Sequence, residues 1–442
     1  MIVFAASQPD PANGPHPIEL TAPDSRSPIP KMKKGILLSL LCATAATFSP
    51  VRGNEPFVVV VTSTSLPTLT AGYSSFPDLL NDLLNVRGGF APYANTDFSA
   101  TLAFLGVSHA IMADSNPAGT QVELLIPGIN FARTFSGQTR SDVENQIHDF
   151  FIKDGSGVVG DFLSYIARHS AVAVTDGNPS SSTAMMANDS FFSNGFTPAD
   201  EITFGGIGTA AAAQSNFSGL GIGFNSGSFT ANGISGTFND LAMPFKLRLS
   251  DRVSLSGSVP LNLLSVEGAK IYGVGLNLGL PVRILVMDKE NPTNWRLTPL
   301  VGISARGSED LAGGGVIWMA GLNSAVDYRV SEKLIVCVVN QFTVHRSLTV
   351  KYSTYKFDPN VSQEMLKDGV RLVTPLSSRT TGDVFVIETN YLKDAAVQSF
   401  TTIGTSLSYR ITPKSNITLG ANYDTGSDYR SWSVGLSSAW KF

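Results

Sequence analysis

His345 and Ser347 have the spacing of a general base and a nucleophile, because residues two apart on a strand share a face and an imidazole there can take a hydroxyl proton. The same alternation sets them beside Gln341 and Thr343, on the polar side opposite Val338, Phe342 and Val344. A second set of residues is electrostatic. Lys246, Arg248, Arg283, Arg296, Arg329 and Arg410 fall on the polar parity of alternating segments, toward one end of each, with only Asp327 of opposite sign among them. Two uses fit: a basic constriction that favours anionic solutes, or pairing with acidic groups of the N-terminal region and of turns, which is the preferred reading. His109, His148 and His169 have no ligand-like spacing, so neither a metal nor a cofactor is expected. No stripe of basic residues interleaved with exposed aromatics argues for nucleic acid as a partner.

The elements that position these residues are short alternating strands. The chain has 442 residues, of which only 15% are charged, below the usual quarter for soluble proteins. Outside residues 35–43 it has no apolar run long enough to cross a bilayer as a helix. From about residue 200, Gly, Ser, Thr and Asn alternate with large apolar residues, which puts one set on each face of a strand. Nine strands are read at 241–250, 253–263, 271–286, 295–306, 316–330, 334–347, 401–411, 416–424 and 431–442. Closed bacterial barrels normally have an even number of strands. At least one more must therefore precede them, among 202–213, 217–225 and 228–238, giving 10 to 12. A further pair inside 348–396 would raise the total to 14; otherwise that stretch is a long extracellular loop.

In the last segment Trp432, Val434, Leu436, Trp440 and Phe442 share one face, and the chain stops on the aromatic. Near the start, Lys31, Lys33 and Lys34 precede the apolar run GILLSLLCA and the small residues Ala43, Ala45 and Ala46. That is the order of a signal peptide, assigned to 32–53, with residues 1–31 an upstream extension that is not part of the protein. Together these features resemble bacterial outer-membrane β-barrel proteins as a class. The resemblance implies an antiparallel transmembrane barrel over 200–442, surrounded by outer-membrane lipid. It also implies that Trp440 and Phe442 are an assembly signal for the barrel-assembly machinery, with the C-terminal end periplasmic. Cys337 is then the only cysteine left after export, so no internal disulfide forms.

Residues 54–199 read as a mixed α/β region, with strands at 57–61, 99–107, 121–126 and 131–135. A helix follows the cap at Thr139 and carries Val143, Ile147, Phe150 and Phe151; a second carries Val158, Phe162 and Ile166. The stretch 178–183 reads as a loop or linker start. The region holds 5 Lys and Arg against 13 Asp and Glu, whereas 217–442 holds 21 against 17, so the two halves attract. It is expected in the periplasm, and 146 residues exceed a lumen of 10 to 12 strands, so at most one segment enters as a plug. The His-x-Ser spacing is similar to that of outer-membrane phospholipases and lipid A deacylases. Leu348 and Thr349 depart from the Asn and small residue that follow in those families, so lipid hydrolysis ranks last. A dinucleotide fingerprint at Gly206–Ala211 has no βαβ unit around it. The expected role is a channel or passive transporter of small solutes, and the alternative is an envelope structural or surface-binding protein. No oligomeric state can be read.

Overall fold

A computed structural model describes residues 55–84, 89–150, 156–196, 218–287, 291–352 and 355–442. The expected extension and signal peptide, and the candidate strand and fingerprint within 202–213, lie outside the described residues. No described helix is long and apolar enough to cross a membrane.

Alternation decides the architecture. Twelve antiparallel strands close into a barrel: β7 Gly219–Ala231, β8 Ile234–Arg248, β9 Ser254–Val266, β10 Ala269–Gly279 with its continuation β11 Val282–Leu285, β12 Thr293–Ser308, β13 Gly313–Ser331, β14 Leu334–Leu348, β17 Ser362–Pro375, β18 Thr380–Tyr391, β19 Ser399–Thr412, β20 Ser415–Gly426 and β21 Tyr429–Lys441. The first strand pairs with the last, and β10 with β12, so no edge is left open. Pro281, which lacks an N–H for the ladder, separates β10 from β11. The hairpins at Asn232-Gly233 and Glu267-Gly268 take left-handed backbone at both turn positions, as two-residue turns require.

Outward residues are large and apolar, and many are open to the surroundings: Val384 is 53% exposed, Leu419 53% and Ile403 51%. An apolar band around most of the wall suits only hydrocarbon, so the molecule is a transmembrane barrel of the outer-membrane type. The strand count sharpens the expected range to twelve. The first described strand is Gly219–Ala231, β8 begins at Ile234 rather than 241, and of the two readings of 348–396 the further pair holds, as β17 and β18. Asp368 on the outward face of β17 interrupts the apolar pattern that would have revealed it.

The barrel's two ends differ. One carries Phe442, the start of β7, the turns 249–253, 332–333, 376–379 and 413–414 and the connection 286–292. The opposite end carries the turns 232–233, 267–268, 309–312 and 427–428, the connection 392–398 and the longer connection 349–361, in which β15 Val350–Tyr352 pairs with β16 Tyr355–Phe357. The latter end bears the α/β region. Its sheet of six antiparallel strands has the order β2-β1-β3-β4-β5-β6, from β1 Phe57–Thr62, β2 Leu69–Tyr73, β3 Phe98–Phe104, β4 Val107–Ser115, β5 Gln121–Ile126 and β6 Phe131–Ser136. Three helices accompany it: α1 Phe76–Leu84, α2 Arg140–Asp149 and α3 Ser156–His169.

Thr139 caps α2 as expected. Its hydroxyl accepts from the Asp142 N–H at 3.3 Å, and the Asp142 carboxylate accepts from the Thr139 N–H at 2.8 Å. These bonds hold the Asp142 carboxyl below the usual carboxylate range. A single apolar core runs from Phe57, Phe104, Phe162 and Ile166 of the region into Phe229, Ile234, Leu264 and Tyr429 of the barrel rim. The Phe76 N–H donates to the Asp310 carbonyl across this junction at 2.7 Å.

Candidate functional site: an occupied lumen

The chain leaves α3 at His169 and enters the barrel. Gly177 turns it, with φ at +79° and an added Cβ only 2.3 Å from the Ala167 carbonyl oxygen, so no other residue fits. Asn178 then pins the turn by donating to the Ala173 carbonyl at 2.8 Å. Ser181 is the N-cap of a fourth helix, α4 Ser182–Phe191, which runs on into a π-turn at Phe192–Phe196. A helix at this place carries no single apolar stripe, because the wall buries it on nearly every side with polar and apolar residues alike; the reading of 178–183 as a linker therefore missed it.

A ladder of hydrogen bonds marks its descent. Near the α/β end, Arg306 donates to the Ser180 carbonyl at 2.5 Å and Ser182 to Ser304 at 3.1 Å. At mid-height, Gln341 Nε2 donates to the Ala187 carbonyl at 2.9 Å and to Ser190 Oγ at 3.1 Å, and Lys367 donates to Asn188. Toward the C-terminal end, Ser256 donates to Asn194 at 2.5 Å, Arg296 to the Gly195 carbonyl at 2.9 Å, and Arg371 to the Phe196 carbonyl. Phe191, Phe192 and Phe196 pack with Val339, Val373, Phe385 and Ile387 of the wall. Gly369 leaves room for this cluster, since a Cβ there would lie 2.7 Å from the Phe196 ring.

Only part of the expected basic set gathers here. Lys246 and Arg296 are buried in the wall, Arg283 and Arg329 are half-buried near the C-terminal end, and Arg248 and Arg410 are exposed there. Arg248 reaches Asp251 in the adjoining turn. Three further buried cations were missed: Arg306, Lys367 and Arg371. Inward parity along β17 (Gln363, Met365, Lys367, Gly369, Arg371) would have found two of them had that strand been recognised. Of the acidic partners, Asp327 was read on the same face as the cations and Asp383 was missed. Arg296 pairs with Asp327 at 2.5 Å and Arg371 with Asp383 at 2.7 Å, all four nearly inaccessible, because a buried charge persists only beside a partner.

His345 is buried in the wall, and the Ser347 hydroxyl donates instead to Asp358 at 2.5 Å. The pair thus makes no base–nucleophile contact among the described residues. Nor does any described group of His, Cys, Asp and Glu offer three ligands for a metal.

Asp176, above α4, accepts from Thr183 at 2.7 Å and from Gln363 at 3.4 Å. Burial nevertheless raises its carboxyl to about 6. Below about pH 4 the group is protonated folded or unfolded and has no effect on stability. As pH rises to 6 the folded state resists ionisation, and the destabilisation persists above. Asp176→Asn should therefore stabilise the protein by roughly 2 kcal/mol at pH 8 and hardly at all at pH 4. Unfolding midpoints at the two pH values check this, and a loss of stability at pH 8 would contradict it.

No protein-family model and no curated protein matches the chain. Among solved structures, similarity is found to the translocator domain of the autotransporter NalP from Neisseria meningitidis (11% identity, 52% of this chain and 90% of that one, TM-score 0.37). It extends to an outer membrane channel from Pseudomonas putida F1 (16%, 52% and 97%, 0.41) and to the Ralstonia pickettii toluene transporter TbuX (11%, 57% and 100%, 0.33). At such identities and scores a likeness speaks neither to substrate nor to mechanism.

Proposed function

We propose that the barrel is an anchor, kept shut by its own polypeptide, that presents the α/β region at the membrane face opposite the C-terminus. The observation that supports this is the buried segment from Ser170 to Phe196, which joins the two parts through the lumen. Two expectations from the sequence collide on it. A periplasmic end for Trp440 and Phe442 and a periplasmic α/β region cannot both hold when the two lie at opposite ends. Short turns favour the periplasm and longer loops the exterior, and the longest connection, 349–361, lies at the α/β end. The reading therefore keeps the C-terminal strand periplasmic, where the barrel-assembly machinery would meet it, and puts the α/β region at the cell surface. An epitope inserted at the exposed turn 117–119 should be labelled on intact cells. Labelling only after the outer membrane is permeabilised would reverse the orientation.

A second reading is passage of small solutes. One stripe of the inserted segment, Asn188, Asp189 and Ser193, is only half-buried although it lies within the barrel, as are the inward-facing Asp240 and Asp424. Arg296 and Arg371 are held in ion pairs, and the half-buried titratable groups along this stripe are carboxyls, so passage on this reading would suit cations rather than the anions first expected.

A further inference from the structure

Asp368 is the seventh residue of the fourteen in β17 and faces outward, halfway down the wall. The neighbours that share its face, Leu366, Val370, Phe342 and Val386, are apolar. Its register partners are polar. Asn340 on β14 stands directly across on one side and Glu388 on β18 on the other, with Thr401 of β19 beyond. Asn340 Nδ2 donates to Asp368 Oδ1, and the Thr401 hydroxyl donates to Glu388 at 2.6 Å. Asn340 is exposed, and both carboxylates are half-buried.

Hydrocarbon is a poor neighbour for this strip, since a charged group facing lipid at mid-depth has no water, and Lys367, which attracts Glu388, lies on the lumen side of the wall. One hydrogen bond from a neutral amide does not neutralise a carboxylate, and two carboxylates in register repel each other. We infer that β14, β17 and β18 form the contact face of a dimer with a second copy of this chain. The strip is self-complementary, as a twofold interface requires, because it carries both donor and acceptors. Asn340 has a second amide hydrogen to offer the partner's carboxylates, and its own Asp368 and Glu388 accept in return. A soluble partner cannot reach this depth, whereas a second copy brings the same polar groups to the same height.

The full-length protein purified in mild detergent should have the mass of a dimer by light scattering. A cysteine at Val370→Cys should cross-link two chains, and one at Val301→Cys, on β12, should not; the native Cys337 is buried and silent. Asp368→Leu combined with Glu388→Leu should weaken association at least about tenfold while the barrel keeps its heat-modifiable migration. A monomeric wild type, equal cross-linking at both positions, or a dimer untouched by the two leucines would overturn the inference. If the leucine variant does not fold, the two cysteine variants decide.

Discussion

Replacing residues 182–196 by a flexible Gly-Ser segment of equal length should turn a nearly silent barrel into one with steady conductance steps, larger on the order of tenfold or more. Twelve strands lie between the eight whose side chains fill the interior and the sixteen to eighteen that leave an aqueous channel, so the inserted helix decides whether a path exists. The replacement removes the Phe191, Phe192 and Phe196 cluster and every rung of the ladder from Ser182 downward. Planar-bilayer recordings on both proteins, each first shown to be heat-modifiable, make the comparison. Continued silence from a folded replacement would mean that the segment is not the seal, and the anchor reading would lose its main support. Large steps from the unaltered protein would favour the transport reading instead.

Arg371→Met should destabilise the barrel by about 3 to 5 kcal/mol, because it strands the Asp383 carboxylate in a site almost closed to water. Ser406 still donates to that carboxylate at 2.6 Å, and a hydroxyl replaces only part of a guanidinium. The double variant Arg371→Met, Asp383→Leu should recover most of the loss, since an apolar pair of similar volume often equals or exceeds a buried ion pair. Denaturant unfolding of the four proteins in detergent gives the coupling. If Arg371→Met alone proved harmless, water would have to reach this part of the lumen, and the seal would be looser than the packing of Phe196 implies.

The wall was the most legible part of the molecule, and the inserted segment the least. Strands such as β19 and β21 advertise themselves by regular alternation, since one face meets hydrocarbon and the other polar groups. β17 hid because Asp368 breaks its outward face, and that break has a cause of its own if a second barrel covers it. α4 left no periodic signal, because an element buried on nearly every side, among polar and apolar neighbours alike, has no solvent face to set against an apolar one. The basic set was half right for a related reason. Parity reports which face a residue occupies, but not whether it lies deep in the lumen, like Arg296, or at the open end of its strand, like Arg410. Pairing is farther still from view, because Asp327 and Asp383 meet their arginines only across neighbouring strands.

The route of the chain through the closed ring of strands has a mechanical consequence. A loop of covalent backbone and ladder bonds encircles the segment at Ser182–Phe196, with a folded six-stranded sheet on one side and the root of β7 on the other. The sheet is too wide for the ring, so the α/β region cannot be drawn back without being unravelled, and tension on it loads the wall rather than a tether. The same width forbids late threading: the ring must seal around an extended chain, or the sheet must fold after its residues have passed. Residues 54–199 contain no cysteine. No disulfide can therefore lock that region before its passage.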